Sequence, residues 1–297
     1  MAKPLKGAFA VLATPMKPDQ SIDEKGLREN IQWVIREGIH GVITTGSTGE
    51  YVSLTESERK RVTEIAAEEV RGRVPLCIGA GAETTRDAIM YTRFAKEVGG
   101  DAVMIAPSYY CRPNPDEVYH HYKQISDAVD LPIMIYNNPF TTKVDLSVET
   151  VVRLSEISNV KYIKESSGDV RRIGLLVLQG KGKIVPFAGF DDLLLESYLM
   201  GAEGGVIVAG NICPKMCSQL FDLALVHKDY DKARALYFKM LPLLNLIEGP
   251  MGKIVQLAKK GAELLGHAGG PSRSPRLPLT AEEENLLRKI LREMGLI

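Results

Sequence analysis

A lysine closes a strand-like run of this sequence, V-K-Y-I-K at 160–164, and small and acidic residues follow it. Lysine is seldom buried unless something uses its amine, because burial disfavours the charged form. A neutral amine attacks carbonyl carbons, so the chemistry open to Lys164 is a Schiff base. Its iminium is an electron sink for making or breaking a C–C bond, or for β-elimination. The structural alternative is a salt bridge between Lys164 and Glu165 or Asp169 at the end of a strand.

A tyrosine can be the proton carrier that Schiff-base chemistry needs. Side chains alternate along a strand, so Lys164 shares a face with Tyr162, and Tyr136 ends the preceding run L-P-I-M-I-Y. In adjacent strands Tyr136 and Lys164 lie side by side, and a phenol both donates and accepts protons. The Gly-rich turn G-S-T-G at 46–49 adds backbone N–H groups ahead of a helix, which suit a substrate carboxylate.

The histidines and cysteines do not form a metal motif. A catalytic metal needs His, Asp or Glu side chains clustered at strand ends. The histidines lie before a strand, on a helical stretch or near the C-terminus, at His40, His120, His121, His227 and His267. Cys213 and Cys217 have helical spacing but no second pair near them, so core packing is the better interpretation. We expect no metal and no other cofactor.

These chemical groups need a scaffold that brings strand ends together. Short apolar runs alternate with helical stretches of period near 3.6, and one of these, 55–70, opens on a Thr-x-x-Glu capping box. The runs lie at 8–13, 41–45, 75–79, 101–106, 131–136, 160–164, 183–187 and 205–209. Eight such units predict an α/β protein with a closed (β/α)8 TIM barrel, whose active face lies at the C-terminal ends of the strands. An open doubly wound sheet is the alternative, but A-T-P-M-K-P-D after the first run has no Gly-rich fingerprint.

The last quarter of the chain contains no further strand-like run. Helical patterns occupy 229–247, 250–265 and 280–295, and a Gly, Pro, Ser and Arg segment at 266–278 joins the last two. We therefore predict a barrel at 1–222 and a C-terminal helical region, packed on the barrel, at 223–297. The pattern leaves open whether the joining segment is ordered.

Composition and charge exclude several classes of partner. The chain has 37 basic and 37 acidic residues among 297, so no overall field favours nucleic acid or an anionic membrane. No apolar run is long enough to span a bilayer, and the N-terminal run, broken by Pro15, is unlike a signal peptide. Four scattered cysteines fit free thiols in a reducing compartment, so we expect a cytoplasmic protein.

Several short motifs fall at the predicted strand ends in a characteristic order. They are G-S-T-G-E at 46–50, P-S-Y-Y at 107–110, Y-N-N-P at 136–139, Y-I-K-E-S-S-G-D at 162–169 and G-V-I-V at 205–208. Each is weak alone, but together they resemble the dihydrodipicolinate synthase / N-acetylneuraminate lyase family over essentially the whole chain. The resemblance implies a lyase of the class I, Schiff-base, pyruvate-dependent aldolase type.

The resemblance also implies a role for each matching residue. Lys164 would be the Schiff-base lysine, with Tyr136 as its proton carrier. Ser47 and Thr48 would hold the carboxylate of a 2-oxo acid, usually pyruvate, and the Ser47 hydroxyl would join a proton relay. Tyr110 would complete that relay by reaching into the site of an adjacent subunit, which implies a homotetramer built as a dimer of dimers.

Two further residues would line the pocket through backbone groups. These are Gly189 and Ile207. The structural alternative for Gly189 is a turn glycine before a helix capped by Asp191, and for Tyr110 it is an ordinary interface or loop aromatic.

One position departs from the synthase pattern. In the synthases of the family that this sequence resembles, an arginine follows the Tyr-Asn-x-Pro segment, and that arginine binds the carboxylate of aspartate semialdehyde. Here Thr141 stands in that place, and a threonine cannot supply a charged bidentate fork, nor can Lys143 two residues on. We therefore expect an aldolase or dehydratase acting on a hydroxylated 2-oxo acid such as a 2-keto-3-deoxy sugar acid, with Thr141, Thr142 and Asn138 binding its hydroxyls. The alternative is 4-hydroxy-tetrahydrodipicolinate synthase, which condenses pyruvate with aspartate semialdehyde.

Other functions remain open at the sequence level. Tyr51, Arg59 and Glu83 stand where the synthases would bind lysine as feedback inhibitor, and their types make such inhibition doubtful. A phosphate-binding barrel enzyme and a non-catalytic binding protein are the remaining alternatives, because a fold does not decide a function.

Overall fold

The computed structural model describes residues 3–297 and confirms the predicted (β/α)8 barrel. Eight parallel strands follow one another in chain order, and the last closes the sheet against the first. The strands are β1 Gly7–Val11, β2 Gly41–Thr44, β3 Leu76–Gly79, β4 Ala102–Ile105, β5 Ile133–Asn137, β6 Val160–Glu165, β7 Val185–Ala188 and β8 Gly204–Ile207. Strand β1 ends two residues before the predicted end, since Ala13 N donates to the Asn211 Oδ1 side-chain atom at 2.9 Å instead of to a strand carbonyl.

The inside of the barrel is filled by aromatic side chains. The ring centroids of Phe9 and Phe187 lie 5.6 Å apart, and those of Tyr162 and Phe187 lie 5.9 Å apart, both in edge-to-face arrangements. Glycine opens β2 and β8 for a steric reason: a Cβ on Gly41 would lie 2.1 Å from the Phe9 ring, and one on Gly204 would lie 2.2 Å from the Phe187 ring. The barrel interior at these positions is therefore packed with side chains, as is usual for this fold.

Helices surround the barrel and extend beyond it. They are α1 Glu24–Arg36, α2 Glu56–Val70, α3 Thr85–Glu97, α4 Pro115–Ala128, α5 Pro139–Thr142, α6 Val148–Leu154, α7 Arg171–Gly180, α8 Leu194–Leu199, α9 Pro214–Phe221, α10 Tyr230–Glu248, α11 Ile254–Leu264 and α12 Ala281–Glu293. The predicted capping box is confirmed at α2, where Glu58 N donates to Thr55 Oγ1 at 3.3 Å and Thr55 N donates to Glu58 Oε2 at 2.8 Å.

The segment between α11 and α12 is ordered by contacts with the barrel. Met16 N donates to Gly269 O at 3.0 Å, and Asn30 exchanges two hydrogen bonds with the backbone of Ala268. His267 stacks on Trp33 with 3.6 Å between ring centroids. These contacts hold the C-terminal helices against the start of the barrel.

The boundary between the two predicted regions stays a proposal. The predicted division at 222/223 falls inside a helical stretch, because α9 continues into a π-helical turn at Asp222–Val226. The predicted C-terminal helices at 229–247, 250–265 and 280–295 correspond to α10, α11 and α12. Within residues 3–297 no helix has both the length and the apolar composition that crossing a membrane requires.

Candidate active site

The structure brings Lys164 and Tyr136 together at the mouth of the barrel. The two residues are direct partners in the register of β5 and β6. Lys164 Nζ lies 4.2 Å from the centroid of the Tyr136 ring, and the two residues are only 5% and 8% exposed. The buried amine and phenol predicted from strand alternation therefore do lie side by side.

The salt-bridge alternative for Lys164 is wrong. Asp169 pairs with Arg171 through two hydrogen bonds, at 2.6 and 2.7 Å. Glu165 points to the opposite face of β6, where Arg172 Nε lies 3.4 Å from its carboxylate. Both carboxylates thus have other cationic partners, and Lys164 is left to face the mouth.

A polar network behind the mouth ties the ends of β5 and β6 together. Asn137 Nδ2 donates to both carboxylate oxygens of Glu165 at 3.2 Å and to Asp145 Oδ1 at 3.2 Å. Leu146 N donates to Asn137 Oδ1 at 3.0 Å. Burial raises the pKa of Glu165, although the positive charge of Arg172 opposes the rise. Because Asn137 and Glu165 directly follow Tyr136 and Lys164, this network fixes the spacing of the two reactive side chains.

The Tyr136 hydroxyl has a partner that the sequence did not indicate. Asn138 Nδ2 donates to Tyr136 Oη at 2.8 Å, while Thr141 N donates to Asn138 Oδ1 at 3.2 Å. The expected binding of substrate hydroxyls by Asn138 stays a prediction, and in this structure its side chain is hydrogen bonded to Tyr136 and Thr141. Thr142 Oγ1, predicted for the same role, is buried and donates to the carbonyls of Asn138 and Val144. Thr141 itself is exposed in the short helix α5.

Two acidic residues to which the sequence analysis gave no role in the chemistry, Asp191 and Glu248, interact electrostatically with Lys164. Asp191 is fully buried, and its carboxylate accepts hydrogen bonds from Val208 N at 3.0 Å and Ala209 N at 2.6 Å. Asp191 begins the 3-10 turn Asp191–Leu193 that precedes α8, and its side chain caps neither element, which corrects the interpretation of Asp191 as a helix cap. Its own N–H donates to Glu248 Oε1 at 3.1 Å, a residue at the end of α10.

Burial sets the protonation of this acidic pair. It raises the pKa of Asp191 and of Glu248, and the positive charge of Lys164 lowers both. The negative charge of Asp191 raises the pKa of Glu248 further. The pair can therefore hold a proton that neither carboxyl would keep in water. No local pattern predicts Glu248, since it comes from a helix outside the barrel. The two adjacent aspartates after β7, Asp191 and Asp192, were a signal for Asp191.

The Gly-Ser-Thr-Gly turn follows β2 at the same mouth. Thr48 is 5% exposed, whereas Ser47 is exposed. Thr14 Oγ1 donates to Gly49 O at 2.8 Å, and Thr45 Oγ1 donates to Gly79 O at 3.0 Å. Hydrogen bonds to the loop after β1 and to the end of β3 thus hold the turn, which suits a preformed site for an anion.

Tyr110 lies on the surface of the single chain. It is 88% exposed in the loop after β4. The Glu83 carboxylate holds that loop, because Tyr110 N donates to it at 3.1 Å and Ser108 Oγ donates to it at 2.7 Å. The predicted role of Tyr110 in the active site of an adjacent subunit stays a prediction.

The backbone positions predicted to line the pocket lie at the ends of the last two strands. Gly189 follows β7, and its N–H donates to Glu165 O at 3.0 Å. A Cβ on Gly189 would lie 2.0 Å from Ser166 Oγ, so the close approach of the two strand ends requires glycine. Ile207 ends β8 and is fully buried.

The remaining residues considered in the sequence analysis are Tyr51 and Arg59, from the expected lysine-inhibition site, and the two cysteines at helical spacing. Arg59 Cζ lies 4.9 Å from the Tyr51 ring centroid and 3.7 Å from that of Tyr91, and its guanidinium donates to two backbone carbonyls. Burial raises the pKa of Tyr51 to about 12. Cys213 and Cys217 are buried free thiols, in line with the core packing expected for them. Residues 3–297 include no group of three or more His, Cys, Asp and Glu side chains arranged to hold a metal ion.

Comparison with known proteins identifies the family. The profile of the Dihydrodipicolinate synthetase family matches residues 4–294. The chain belongs to this family. The dihydrodipicolinate synthetase family comprises class I lyases that act on C–C bonds through a Schiff base, and this chain shares their (β/α)8 barrel.

Individual family members are similar over their full lengths. A 4-hydroxy-tetrahydrodipicolinate synthase from Nitrobacter hamburgensis is 36% identical, over 98% of this chain and 97% of that protein. The crystal structure of a chloride-inhibited dihydrodipicolinate synthase from Acinetobacter baumannii in complex with pyruvate superposes with a TM-score of 0.94. It is 34% identical, over 99% of this chain and 100% of that one. A prophage protein of the family from Escherichia coli K12, also in complex with pyruvate, gives 0.93 at 26% identity, over 98% of this chain and 99% of that one.

Proposed function

We propose that this protein is a 4-hydroxy-tetrahydrodipicolinate synthase that joins pyruvate to aspartate semialdehyde through a Schiff base on Lys164. The buried pair of Lys164 and Tyr136 carries the proposal, because an amine and a phenol held together in a pocket are what imine chemistry requires. The choice of second substrate is supported by the relatives at 33–36% identity, which bear that synthase name. It replaces the sugar-acid lyase as our first expectation.

The reaction would begin at the amine of Lys164. The neutral amine attacks C2 of pyruvate, and the carbinolamine that forms loses its hydroxyl as water. Tyr136 gives the proton that this departing oxygen needs and later takes one back. Loss of a proton from C3 then turns the imine into an enamine, whose C3 attacks the aldehyde carbon of the second substrate. The aldehyde oxygen takes up a proton, and the α-amino group of aspartate semialdehyde then attacks the imine carbon, closes the six-membered ring of the product and displaces the amine of Lys164.

The remaining predicted residues would bind and assist. Ser47 and Thr48 hold the pyruvate carboxylate with the N–H groups of their turn, and backbone groups of Gly189 and Ile207 line the pocket. Tyr110 of a second copy completes the proton relay, so the active form is a homotetramer built as a dimer of dimers. The exposure of Tyr110 supports this proposal, since an aromatic ring that is 88% exposed on one chain can be covered by another.

A second candidate is favoured by Thr141. This exposed residue carries no charge where the synthases have an arginine for the carboxylate of aspartate semialdehyde. Lys143 does not take the place of that arginine, because it lies two residues later, at the left-handed position that ends α5, with φ of 57°. A hydroxylated substrate such as a 2-keto-3-deoxy sugar acid needs no such cation, and Thr141 can bind its hydroxyls. On this alternative the same Lys164 imine serves aldol cleavage or dehydration.

The phosphate-binding alternative has poor electrostatics. Barrel enzymes that bind phosphate use the loops after the seventh and eighth strands. Here those loops present Asp191 and Asp192, with Glu248 hydrogen bonded to the first of them. These acidic side chains disfavour a phosphate, and the Asp191 carboxylate already accepts hydrogen bonds from Val208 N and Ala209 N, two N–H groups that a phosphate would need.

Reductive trapping tests the proposal directly. Borohydride treatment with pyruvate, followed by peptide mass spectrometry, should give an adduct on the peptide that contains Lys164. Lys164→Ala should abolish it, while Lys161→Ala, which removes an exposed lysine of the same strand, should leave it intact. Absence of any adduct in folded protein would remove the Schiff-base mechanism and leave a non-catalytic barrel.

A substrate comparison decides between the two candidates. Consumption of aspartate semialdehyde with pyruvate should exceed release of pyruvate from 2-keto-3-deoxy acids by at least a hundredfold in kcat/KM, about 2.7 kcal/mol. The reverse order would establish the second candidate without affecting the role of Lys164.

A further inference from the structure

A buried ion pair joins the Gly-Ser-Thr-Gly turn to the C-terminal helices. Glu50 directly follows that turn and has no exposed surface. Its Oε1 accepts a hydrogen bond from Nζ of Lys259, a residue of α11 that is 2% exposed. Its Oε2 accepts one from Arg273 N at 2.9 Å. Both carboxylate oxygens thus bind groups that lie more than 200 residues away in the chain, at separations of 209 and 223.

The charges of this pair are satisfied on all sides. Lys259 Nζ also donates to Pro271 O at 2.8 Å, and Arg276 Nη1 lies 3.7 Å from Glu50 Oε2. A buried ion pair adds little net stability, because desolvation of the two charges offsets their attraction. Its clearest effect is therefore geometric, since breaking it leaves a buried charge alone and the chain cannot easily adopt another arrangement.

The backbone at Glu50 needs such a restraint. Glu50 has φ of 59°, and Thr45, on the other side of the turn, has φ of 52°. Both values lie in the left-handed region, which residues with a side chain seldom adopt unless the surroundings hold them there. Thr45 is held by its hydrogen bond to Gly79 O at 3.0 Å, and Glu50 is held by the ion pair. Each end of the turn therefore has its own anchor, and only one of these anchors belongs to the barrel.

We propose that Glu50 and Lys259 are positioning residues for the carboxylate of the 2-oxo acid. Their ion pair sets the backbone of the turn, so that Ser47, Thr48 and the neighbouring N–H groups are in place before the anion arrives. The C-terminal helical region thereby belongs functionally to the active site, through the contact that Lys259 makes with Glu50. This inference rests on the proposed function and names a further pair of residues for it.

The test separates the geometry of the contact from its charge. Glu50→Asp keeps the charge but shortens the side chain by one methylene, about 1.5 Å. Glu50→Gln and Lys259→Met remove one charge each. Lys253→Met is the matched control, since Lys253 forms an ion pair with Glu283 within the C-terminal region. Two quantities are measured on folded protein: the pyruvate concentration that half-saturates borohydride trapping, and the hydrogen-exchange rate of the peptide spanning 44–51.

The expected result is a loss of affinity with the chemistry retained. Glu50→Asp should raise the half-saturating pyruvate concentration about tenfold, while the trapping rate at saturation stays within about threefold of the parent. Exchange in the 44–51 peptide should speed up at least fivefold, and Lys253→Met should match the parent in both measurements. A merely structural role would lower the unfolding temperature without moving the half-saturation.

Each other outcome has a definite meaning. Folded Glu50→Asp protein with the parent's half-saturation and exchange rate overturns the inference, whether or not the two charge-removing variants fold. If the parent forms no adduct at all, the proposed function fails. The exchange comparison then still shows whether Glu50 sets the turn, and unchanged exchange overturns that part too.

Discussion

Replacing Tyr136 by phenylalanine isolates the work of one oxygen atom. The ring stays, so the contact in which Lys164 Nζ lies 4.2 Å from the ring centroid is preserved. The hydroxyl is lost, together with the hydrogen bond that Asn138 Nδ2 donates to it at 2.8 Å. Tyr136 is 8% exposed, and the substitution removes only one oxygen atom, so it leaves no large cavity.

The structural cost and the catalytic cost should therefore differ in size. Loss of one neutral hydrogen bond costs about 1 kcal/mol of unfolding free energy. Loss of a positioned proton carrier costs about 10²–10⁴ in rate, or roughly 2.7–5.4 kcal/mol of transition-state stabilisation. The catalytic loss should exceed the stability loss by at least about 1.5 kcal/mol.

Three measurements on Tyr136→Phe check this reasoning. Denaturant unfolding gives the stability change, steady-state kinetics gives kcat/KM, and borohydride trapping gives the rate of imine formation. Asn138→Ala is the matched control, because it removes the same hydrogen bond and leaves the phenol. It also removes the cap of α5, in which Thr141 N donates to Asn138 Oδ1, so it should lose more stability than Tyr136→Phe but keep imine formation within about tenfold of the parent. Turnover by Tyr136→Phe within threefold of the parent would refute the assignment of Tyr136 as proton carrier.

Two other changes probe the second substrate and the pH dependence. Thr141→Arg adds a charged fork at the exposed position in α5 and should lower the KM for aspartate semialdehyde about tenfold; a change below twofold would show that this substrate's carboxylate binds elsewhere. Burial lowers the pKa of His121 from 6.5 to about 4. As the pH falls, the unfolded chain therefore binds the proton before the folded chain does. The free energy of unfolding should drop by up to about 3 kcal/mol between pH 6.5 and 4. His121→Asn should flatten this part of the stability curve in urea titrations, whereas His120→Asn, at an exposed position of the same helix, should leave it unchanged. Equal slopes in the two variants would contradict the buried-histidine account.

Local patterns in the sequence were enough for the barrel and for its reactive pair. Alternation with a period of two predicts which strand residues point to the mouth, and consecutive units of a parallel barrel must be neighbours. Together these two rules place Tyr136 beside Lys164, as the register of β5 and β6 confirms. The observed strand ends differ from the predicted ones by up to two residues, and at Ala13 a side chain replaces the ladder partner.

Contacts between segments that are distant in the chain could not be predicted from local sequence patterns. Glu50 meets Lys259 across 209 residues, and Asp191 meets Glu248 across 57. Neither Lys259 nor Glu248 differs in its local pattern from an ordinary surface residue of an amphipathic helix. Their importance comes from burial against another segment, which raises the free energy of an unpaired charge and so selects the partner. The periodicity of the sequence does not identify these partners. Only the packing of the barrel against the C-terminal helices determines which residues meet.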